Sequence, residues 1–344
     1  MALPAPAAPV ASVVVLNYNG RAMLPACLEA VLGQELAGDF EVIVVDNASS
    51  DGSVAWTRAQ HPTVRVIEAG SNLGFAAGNN LGLRQARGAY AVLLNNDTAV
   101  RPGWLAALVG AAEQDPKAGA VTSKLMFMHR PGVIQNAGCL LLSDGSGGDR
   151  GSGQADTGQF SVREEVFAFC GAAALLRMDA IRDVGMFDES FFMYYEDLDL
   201  SWRLRLGGWR VLYEPAAVVD HVHAGSSGEG SPFFIFHADR NRLFMVLKNA
   251  PAAFAARAFV GFYGRAVGNL LSGRRGGAAP PAGAASPRVQ PGASRARIHV
   301  DVALSFLWHL PLMIVRRVRV RGRRTASDTE VLRWLYPREE WDAR

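Results

Sequence analysis

The sequence predicts an α/β protein with a mostly parallel central sheet flanked by helices. Two observations carry that expectation. Short apolar or β-branched runs alternate with stretches of helical spacing over residues 10–98, the pattern of strands joined by right-handed helical crossovers. Four of these stretches also follow a strand with polar, turn-forming residues. In an open α/β sheet, ligands sit beyond the carboxyl ends of the strands. One polar strand end is a turn; four converging ends make a crevice.

Residues 10–16 form the first, buried strand, which ends in Asn17-Tyr18-Asn19-Gly20. Residues 23–32 have helical spacing, with Leu24, Cys27, Leu28 and Val31 on one face. A second strand at 40–45 ends in Asp46-Asn47-Ala48-Ser49-Ser50-Asp51-Gly52-Ser53. A third at 64–67 leads into Gly70-Ser71-Asn72-Leu73-Gly74-Phe75-Ala76-Ala77-Gly78-Asn79-Asn80, which opens a helix. Its glycines either let the backbone approach a ligand or make a plain helix-entry loop. The fourth strand, 90–94, runs straight into Asn95-Asn96-Asp97-Thr98. A carboxylate flanked by amides there can hold a hard divalent cation together with a substrate's phosphates; the same residues also suit a simple turn. The fingerprint G-x-G-x-x-G is missing after the first strand, which disfavours a nicotinamide or flavin cofactor.

Residues 105–113 read as a helix and 119–125 as a further strand. Residues 143–158 are rich in Gly, Ser and Asp and read as a long polar loop. Strand character returns at 166–176, where Cys170-Gly171-Ala172 is small enough for a substrate to lie close. The stretch 187–205 is dense with aromatics and acids. A helix is expected from Glu196 to Gly207-Gly208, with Glu196 and Asp197 in its first turn. Acids there complement the helix dipole, yet an aromatic wall would also raise their pKa toward that of a useful base. Asp199 and Arg203, four apart, read as a surface pair. His221 and His223 follow a short apolar run and are either structural or metal ligands.

The chain has 344 residues, enough for one large domain or two ordinary ones. Its net charge of +3 is uneven: Arg316, Arg317, Arg319, Arg321, Arg323 and Arg324 supply +6, leaving the rest acidic on balance. The basic surplus is one C-terminal patch, so no nucleic-acid partner is expected for the body of the protein. Three cysteines without a CxxC pair point to a reducing compartment with neither a disulfide framework nor a zinc site. Residues 1–10 lack the features of a secretory signal, and no run of eighteen apolar residues marks a transmembrane helix.

Together these stretches resemble the inverting family 2 glycosyltransferases of the GT-A fold, and within them the bacterial rhamnosyltransferase-like branch that builds surface polysaccharides. The carriers are Val15-Leu16-Asn17-Tyr18-Asn19-Gly20, Val44-Val45-Asp46-Asn47 with its serines, Asn72-Leu73-Gly74 through Gly78-Asn79-Asn80, and Leu94-Asn95-Asn96-Asp97. Phe187-Asp188-Glu189, Phe192-Met193-Tyr194, Glu196-Asp197-Leu198-Asp199-Leu200, His221 and Arg240-Asn241-Arg242 follow in the family's order, covering roughly residues 10–250. The resemblance implies a GT-A domain over 1–250, with a nucleotide-binding half at 10–125 and an acceptor and catalytic half at 126–250. It implies that Asp46 binds the donor's base and that Leu16, Asn17 and Tyr18 form part of the nucleotide wall. Asn72, Gly78 and Asn79 would contact the nucleotide or donor sugar. Asn95-Asn96-Asp97 occupies the family's Asp-x-Asp position, so Asn95 and Asn96 would line the donor site. Asp97 would ligate Mg2+ or Mn2+, joined by His221. Asp197, second of the Glu196–Asp197 pair, would be the catalytic base. Asn95 stands where many relatives carry a first Asp, and that lost charge weakens the expected metal site.

The chemistry agrees. Displacing a nucleoside diphosphate builds charge that a cation at Asp97 can neutralise, while Asp197 can take the proton of the attacking hydroxyl. One base and no marked second nucleophile imply a single displacement with inversion. The expected partners are a nucleotide-diphosphate sugar donor, with dTDP-rhamnose preferred to a UDP-hexose, and a glycan or lipid-linked acceptor. Two rivals are a sugar nucleotidyltransferase, which lacks its Gly-rich, Lys-bearing loop here, and a nucleotide-sugar-binding pseudoenzyme acting as an assembly partner, against which Asp97 and Asp197 both speak.

After the catalytic region, residues 242–247 and 254–271 read as helices, the second a helical extension at 251–271. Residues 272–299 are Gly/Ala/Pro-rich and read as a flexible linker. The segment 300–344 pairs an apolar run at 302–315 with the six arginines. It reads either as a helix packed on the domain or as one lying on an anionic membrane. A cytoplasmic enzyme, peripheral to the inner face of the membrane, is the expectation.

Overall fold

In the computed structural model, which describes residues 8–222, 230–271 and 293–343, the first apolar run is the central strand β1 (Ala11–Asn17). Val13, Val14 and Val15 have no exposed surface, as fits a strand covered on both faces. Helices α1 (Leu24–Leu32), α2 (Ser53–Gln60) and α3 (Gly74–Gln85) connect β1 to β2 (Phe40–Asp46), β3 (Arg65–Glu68) and β4 (Tyr90–Asn95) in turn. Strands β4, β1, β2 and β3 lie side by side and parallel. Their register sets Asn17 beside Asp46 and Leu16 beside Asn95, so the polar ends meet at one edge.

The sheet has ten strands and continues from β4 on its other side. β5 (Thr98–Val100), α4 (Trp104–Gln114) and β6 (Ala118–Phe127) are followed by the short strands β7 (Ile134–Asn136), β8 (Cys139–Leu142), β9 (Gly147–Asp149) and β10 (Glu164–Glu165). β11 (Ala173–Arg177) runs antiparallel to both β4 and β6, and β12 (Arg210–His221) runs parallel to β6. Only the half formed by β4, β1, β2 and β3 is therefore wholly parallel. The strand expected at 166–176 is shortened because Ala168 exchanges backbone hydrogen bonds with Cys139 at 2.8 and 3.1 Å. The polar loop expected at 143–158 contains a strand, β9, paired with β8.

Helices α5 (Met178–Val184) and α6 (Glu196–Leu206) lie between β11 and β12 in sequence. A helical layer follows: α7 (Pro232–Asn249), α8 (Ala252–Leu271) and α9 (Ala293–Gly322). Ser231 caps α7, its Oγ accepting from the Phe234 amide at 3.1 Å, so that helix begins ten residues before the expected start at 242. Leu243, Phe244 and Val246 pack with Trp202, Phe254, Val302 and Phe306 in one apolar cluster. The chain closes with α10 (Asp328–Leu332), β13 (Leu335–Tyr336) and α11 (Arg338–Asp342), and β13 pairs with β8. Residues 272–292 of the expected linker, and His223, lie outside the described residues, while 293–299 belong to α9.

Two expectations are corrected. Asp199 and Arg203 are not a surface pair: both are buried. Asp199 accepts from Arg203 Nε at 3.0 Å, Lys248 Nζ at 2.8 Å and Asn249 Nδ2 at 2.8 Å. The i, i+4 spacing is compatible with either outcome; α7, forty residues later, decides it by covering α6. The apolar run at 302–315 is also part of a longer helix, and Arg295–Gly322 is long and apolar enough to cross a membrane by length and composition. Ser305, His309 and Pro311 interrupt the apolar run without lowering the average below that of a span. One such helix is weak evidence of a span, and Val302, Phe306 and Met313 are buried against the domain.

Candidate active site

The four strand ends are tied together by amide side chains. Asn17 Nδ2 donates to Asp46 Oδ1 at 3.1 Å and to Ser53 Oγ at 2.9 Å, while its Oδ1 accepts from Asn96 at 2.8 Å. Asp46 Oδ2 accepts from the Ser49 amide at 2.9 Å. Asn47 reaches the next loop, donating to Asn72 Oδ1 at 2.9 Å and accepting from the Leu73 amide at 2.8 Å. Above this layer lies a cleft of about 500 Å³. Its wall includes Leu16, Tyr18, Asn72, Asn95, Asn96 and Asp97. Asn17 and Asp46 are buried and do not themselves line it, but Asn17 bonds to Asn96, which does.

Asp97 follows β4, and β12 brings His221 beside it: His221 Nε2 is 3.2 Å from Asp97 Oδ1. Gln135 Oε1 lies 2.8 Å from His221 Nδ1 and fixes the ring. Among the described residues no group of three His, Cys, Asp or Glu side chains could hold a metal by itself. A carboxylate and an imidazole nevertheless suit a divalent cation such as Mg2+ or Mn2+ that takes its other ligands from phosphates and water.

The loop before α6 takes an unusual path. Phe192, Tyr194 and Tyr195 all have positive φ, at 64°, 70° and 69°. Non-glycine residues in that region are strained unless their surroundings hold them there. Asn241 does so, its side-chain amide donating to the carbonyls of Phe191, Met193 and Tyr194, each at 2.8 Å. Arg240 adds bonds to the carbonyls of Ser190 and Phe191 at 3.0 and 3.1 Å. The path turns Phe192 and Met193 into the cleft wall and Tyr194 and Tyr195 into the wall of a second hollow of about 460 Å³.

Asp197 lines that second hollow, beside Glu196. The Gly171 amide donates to Asp197 Oδ2 at 3.1 Å, and the Leu198 amide donates to Oδ1 at 2.8 Å. Burial pushes the Asp197 carboxyl up to about 6, against the pull of those two amides and with Asp149 adding to the rise. Burial, and then the Asp197 charge, raise Glu196 well above the usual carboxylate range. Gly171 stands between a residue of each hollow. A Cβ there would lie 2.9 Å from the ring of Phe75, which lines the cleft, and 3.7 Å from Asp197 Cβ. The Asn95 amide donates to the Ala172 carbonyl at 2.9 Å, which links the strand end before Asp97 to Gly171, the neighbour of Ala172 that holds Asp197.

The sequence model described as Glycosyl transferase family 2 matches residues 12–185, half of the chain. The chain belongs to this glycosyltransferase family. The N-acetylglucosaminyl-diphospho-decaprenol L-rhamnosyltransferase of Mycobacterium tuberculosis (strain ATCC 25618 / H37Rv) is 30% identical over 268 residues, covering 67% of this chain and 85% of that protein. A Sinorhizobium fredii protein, y4gI, is 30% identical over 64% of this chain, which spans only 25% of its length. Among solved structures, the mannosyltransferase PcManGT from Pyrobaculum calidifontis, in complex with GDP-Man and Mn2+, is similar with a TM-score of 0.51 and 18% identity over 92% of this chain and 86% of that one. The fold is the GT-A fold with a helical C-terminal region.

In this glycosyltransferase the sequence-named residues divide into two sets. Leu16, Tyr18, Asn72, Asn95, Asn96 and Asp97 meet in the cleft, and Glu196 and Asp197 in the adjoining hollow. Gly78 and Asn79 are inside α3 and do not line the cleft. A Cβ at Gly78 would come within 2.6 Å of Leu16 Cδ1, so this glycine sets the close packing of α3 on β1. Asn79 is buried and donates to the Phe75 carbonyl at 3.0 Å. Sequence reasoning did not single out Asn47, Phe75 or Phe233 for the cleft, nor Trp341 for the second hollow. Asn47 sits beside Asp46 at a strand end, and that position was the available signal.

Proposed function

We propose that this glycosyltransferase is an inverting enzyme that moves rhamnose or a hexose from a nucleoside diphosphate to a hydroxyl of a glycan or lipid-linked acceptor, in cell-surface polysaccharide synthesis. The observation that carries the reading is the Asp197 carboxylate, pushed up to about 6 and held by the Gly171 amide, which stands between it and Phe75 of the cleft. A group of that pKa is ionised at neutral pH yet basic enough to accept the proton of an attacking hydroxyl.

The donor nucleotide occupies the cleft over Asn17 and Asp46, its diphosphate toward Asp97. Asp97 and His221 hold Mg2+ or Mn2+, whose charge offsets that of the leaving diphosphate; the mannosyltransferase of similar fold was crystallised with Mn2+. With one base and a single leaving group, inversion follows. The name of the mycobacterial relative favours rhamnose over a hexose as the transferred sugar. Screening dTDP-rhamnose and UDP-hexoses for binding and transfer, with and without manganese or magnesium, tests the reading. Failure of every nucleotide to bind would overturn it.

The reading also places the enzyme in the cytoplasm, on the inner face of the membrane. Support comes from α9, where Leu304, Leu307, Trp308, Val315 and Val318 are exposed, Trp308 by 83%. Such an apolar stripe fits an interfacial helix. The arginines contribute less than their number implies. Arg316 bonds to Asp188 and Ser190, Arg317 to the Leu247 and Ala250 carbonyls, and Arg321 to Asp328.

A further inference from the structure

The far wall of the Asp197 hollow comes from the last described helix. The segment from residue 325 onward returns to the domain through a continuous series of contacts. The amides of Thr325 and Ala326 donate to the Leu206 carbonyl at 2.8 and 3.0 Å. β13 then pairs in parallel with β8, Leu335 beside Leu141. The Arg338 amide donates to Ser143 Oγ at 3.1 Å, and its guanidinium to Ser146 Oγ at 3.0 Å. α11 thereby sets the Trp341 indole into the wall of the hollow that Asp197 also lines. Gly148 of β9 makes room for it: a Cβ at that position would lie 3.0–3.2 Å from three atoms of the six-membered ring. The segment that supplies Trp341 lies beyond residues 12–185, the stretch the family model matches, although it docks on β8 and β9 within that stretch.

We propose that Trp341 binds the acceptor, and that the hollow takes a neutral saccharide ring stacked on the indole with one hydroxyl toward Asp197. The inference rests on the glycosyltransfer reading above and adds the acceptor's class. Three observations carry it. The wall is aromatic, with Tyr194, Tyr195 and Phe234 beside Trp341, and rigid aromatic faces cover the C–H faces of a ring at little entropic cost. The carboxyl groups on the wall are those of Asp149, Glu196 and Asp197, with no Lys or Arg among the described lining residues. An acceptor ending in a uronate or phosphate would meet repulsion there. Finally, Glu196 is only 5% exposed, and its Oε2 has no hydrogen-bond partner. A buried polar atom left open at the wall of a cavity is a place for a ligand hydroxyl.

The test uses the whole chain with dTDP and UDP as nucleotide probes and alkyl glycosides of rhamnose, neutral hexoses and hexuronic acids as acceptor probes. Binding is read by saturation-transfer NMR and calorimetry. The expected result is that a neutral glycoside binds and a hexuronide does not. W341A should weaken the neutral glycoside at least about tenfold, W341F should keep most of the affinity, and both should bind nucleotide as wild type does. Wild-type glycoside affinity in W341A, equal binding of uronides, or no glycoside binding beside intact nucleotide binding would each overturn this inference alone. Loss of nucleotide binding in the wild-type chain would remove the glycosyltransfer reading and this inference with it.

Discussion

The side-chain amide of Asn241, in α7, donates to the carbonyl of Tyr194 at 2.8 Å and so holds a left-handed residue two positions before Glu196. It makes equal bonds to Phe191 and Met193. The wall between the two hollows is therefore shaped from outside the loop that forms it. Asn241→Ala should lower unfolding stability by about 1–3 kcal/mol, because it leaves buried carbonyls unpaired. Denaturant melts would measure that. Transfer activity should fall further than the stability loss explains, since the released turn moves both walls.

Asp197→Asn should abolish transfer while leaving nucleotide binding unchanged, read by calorimetry and product assay. In the wild type, kcat/KM should rise with pH along a limb near 6 and fall about tenfold per pH unit below it. The sign follows from the role: a base works ionised, and burial delays ionisation. A flat profile between pH 5 and about 8 would remove Asp197 from that role.

Asp97→Ala should cost about a hundredfold or more in kcat, the scale of a lost charge stabiliser. Gln135→Ala offers a milder test. It removes the partner of His221 Nδ1, so the manganese or magnesium concentration for half-maximal activity should rise about tenfold with folding intact. An unchanged metal dependence in both variants would separate Asp97 from metal binding.

Asp188 titrates in the opposite sense from Asp197. Burial alone would raise it, but Lys248 and Arg316 beside it hold it well below the usual carboxylate range. A depressed carboxyl adds stability above its unfolded pKa and loses it as pH falls through the folded value. The chain should therefore lose stability on acidification below about 4, and Arg316→Ala should flatten that dependence. Thermal melts across that range decide it.

Leu307→Ser with Trp308→Ser should weaken binding to anionic vesicles without shifting the melting temperature, because both side chains are exposed. Vesicle binding equal to that of the wild type would count against membrane contact. Removing the whole segment after Leu271 would be a poor test, since Val302, Phe306 and Met313 are part of the core.

The parallel half of the sheet was legible in the sequence because each strand is a short apolar run with a polar end, and the parallel register brings equivalent ends together. Asn95, Asn96 and Asp97 reach the cleft for that reason. What spacing could not show is what a later segment covers. Asp199 and Arg203 look like a surface pair until α7 is laid over α6. Gly78 looks like a ligand contact until Leu16 occupies the space beside it. Trp341 has no local pattern that ties it to β9, more than 190 residues earlier. That contact arises from the β13–β8 pairing, and tertiary pairing of so short a strand leaves no periodic signal.

Arg316 bonds to Asp188 and Ser190, just ahead of the turn that shapes both walls. During synthesis, the chain is thus more than a hundred residues past Asp197 before this clasp can form. Until it forms, the turn beside both hollows lacks this anchor, so the walls are completed only once the C-terminal helix has been made.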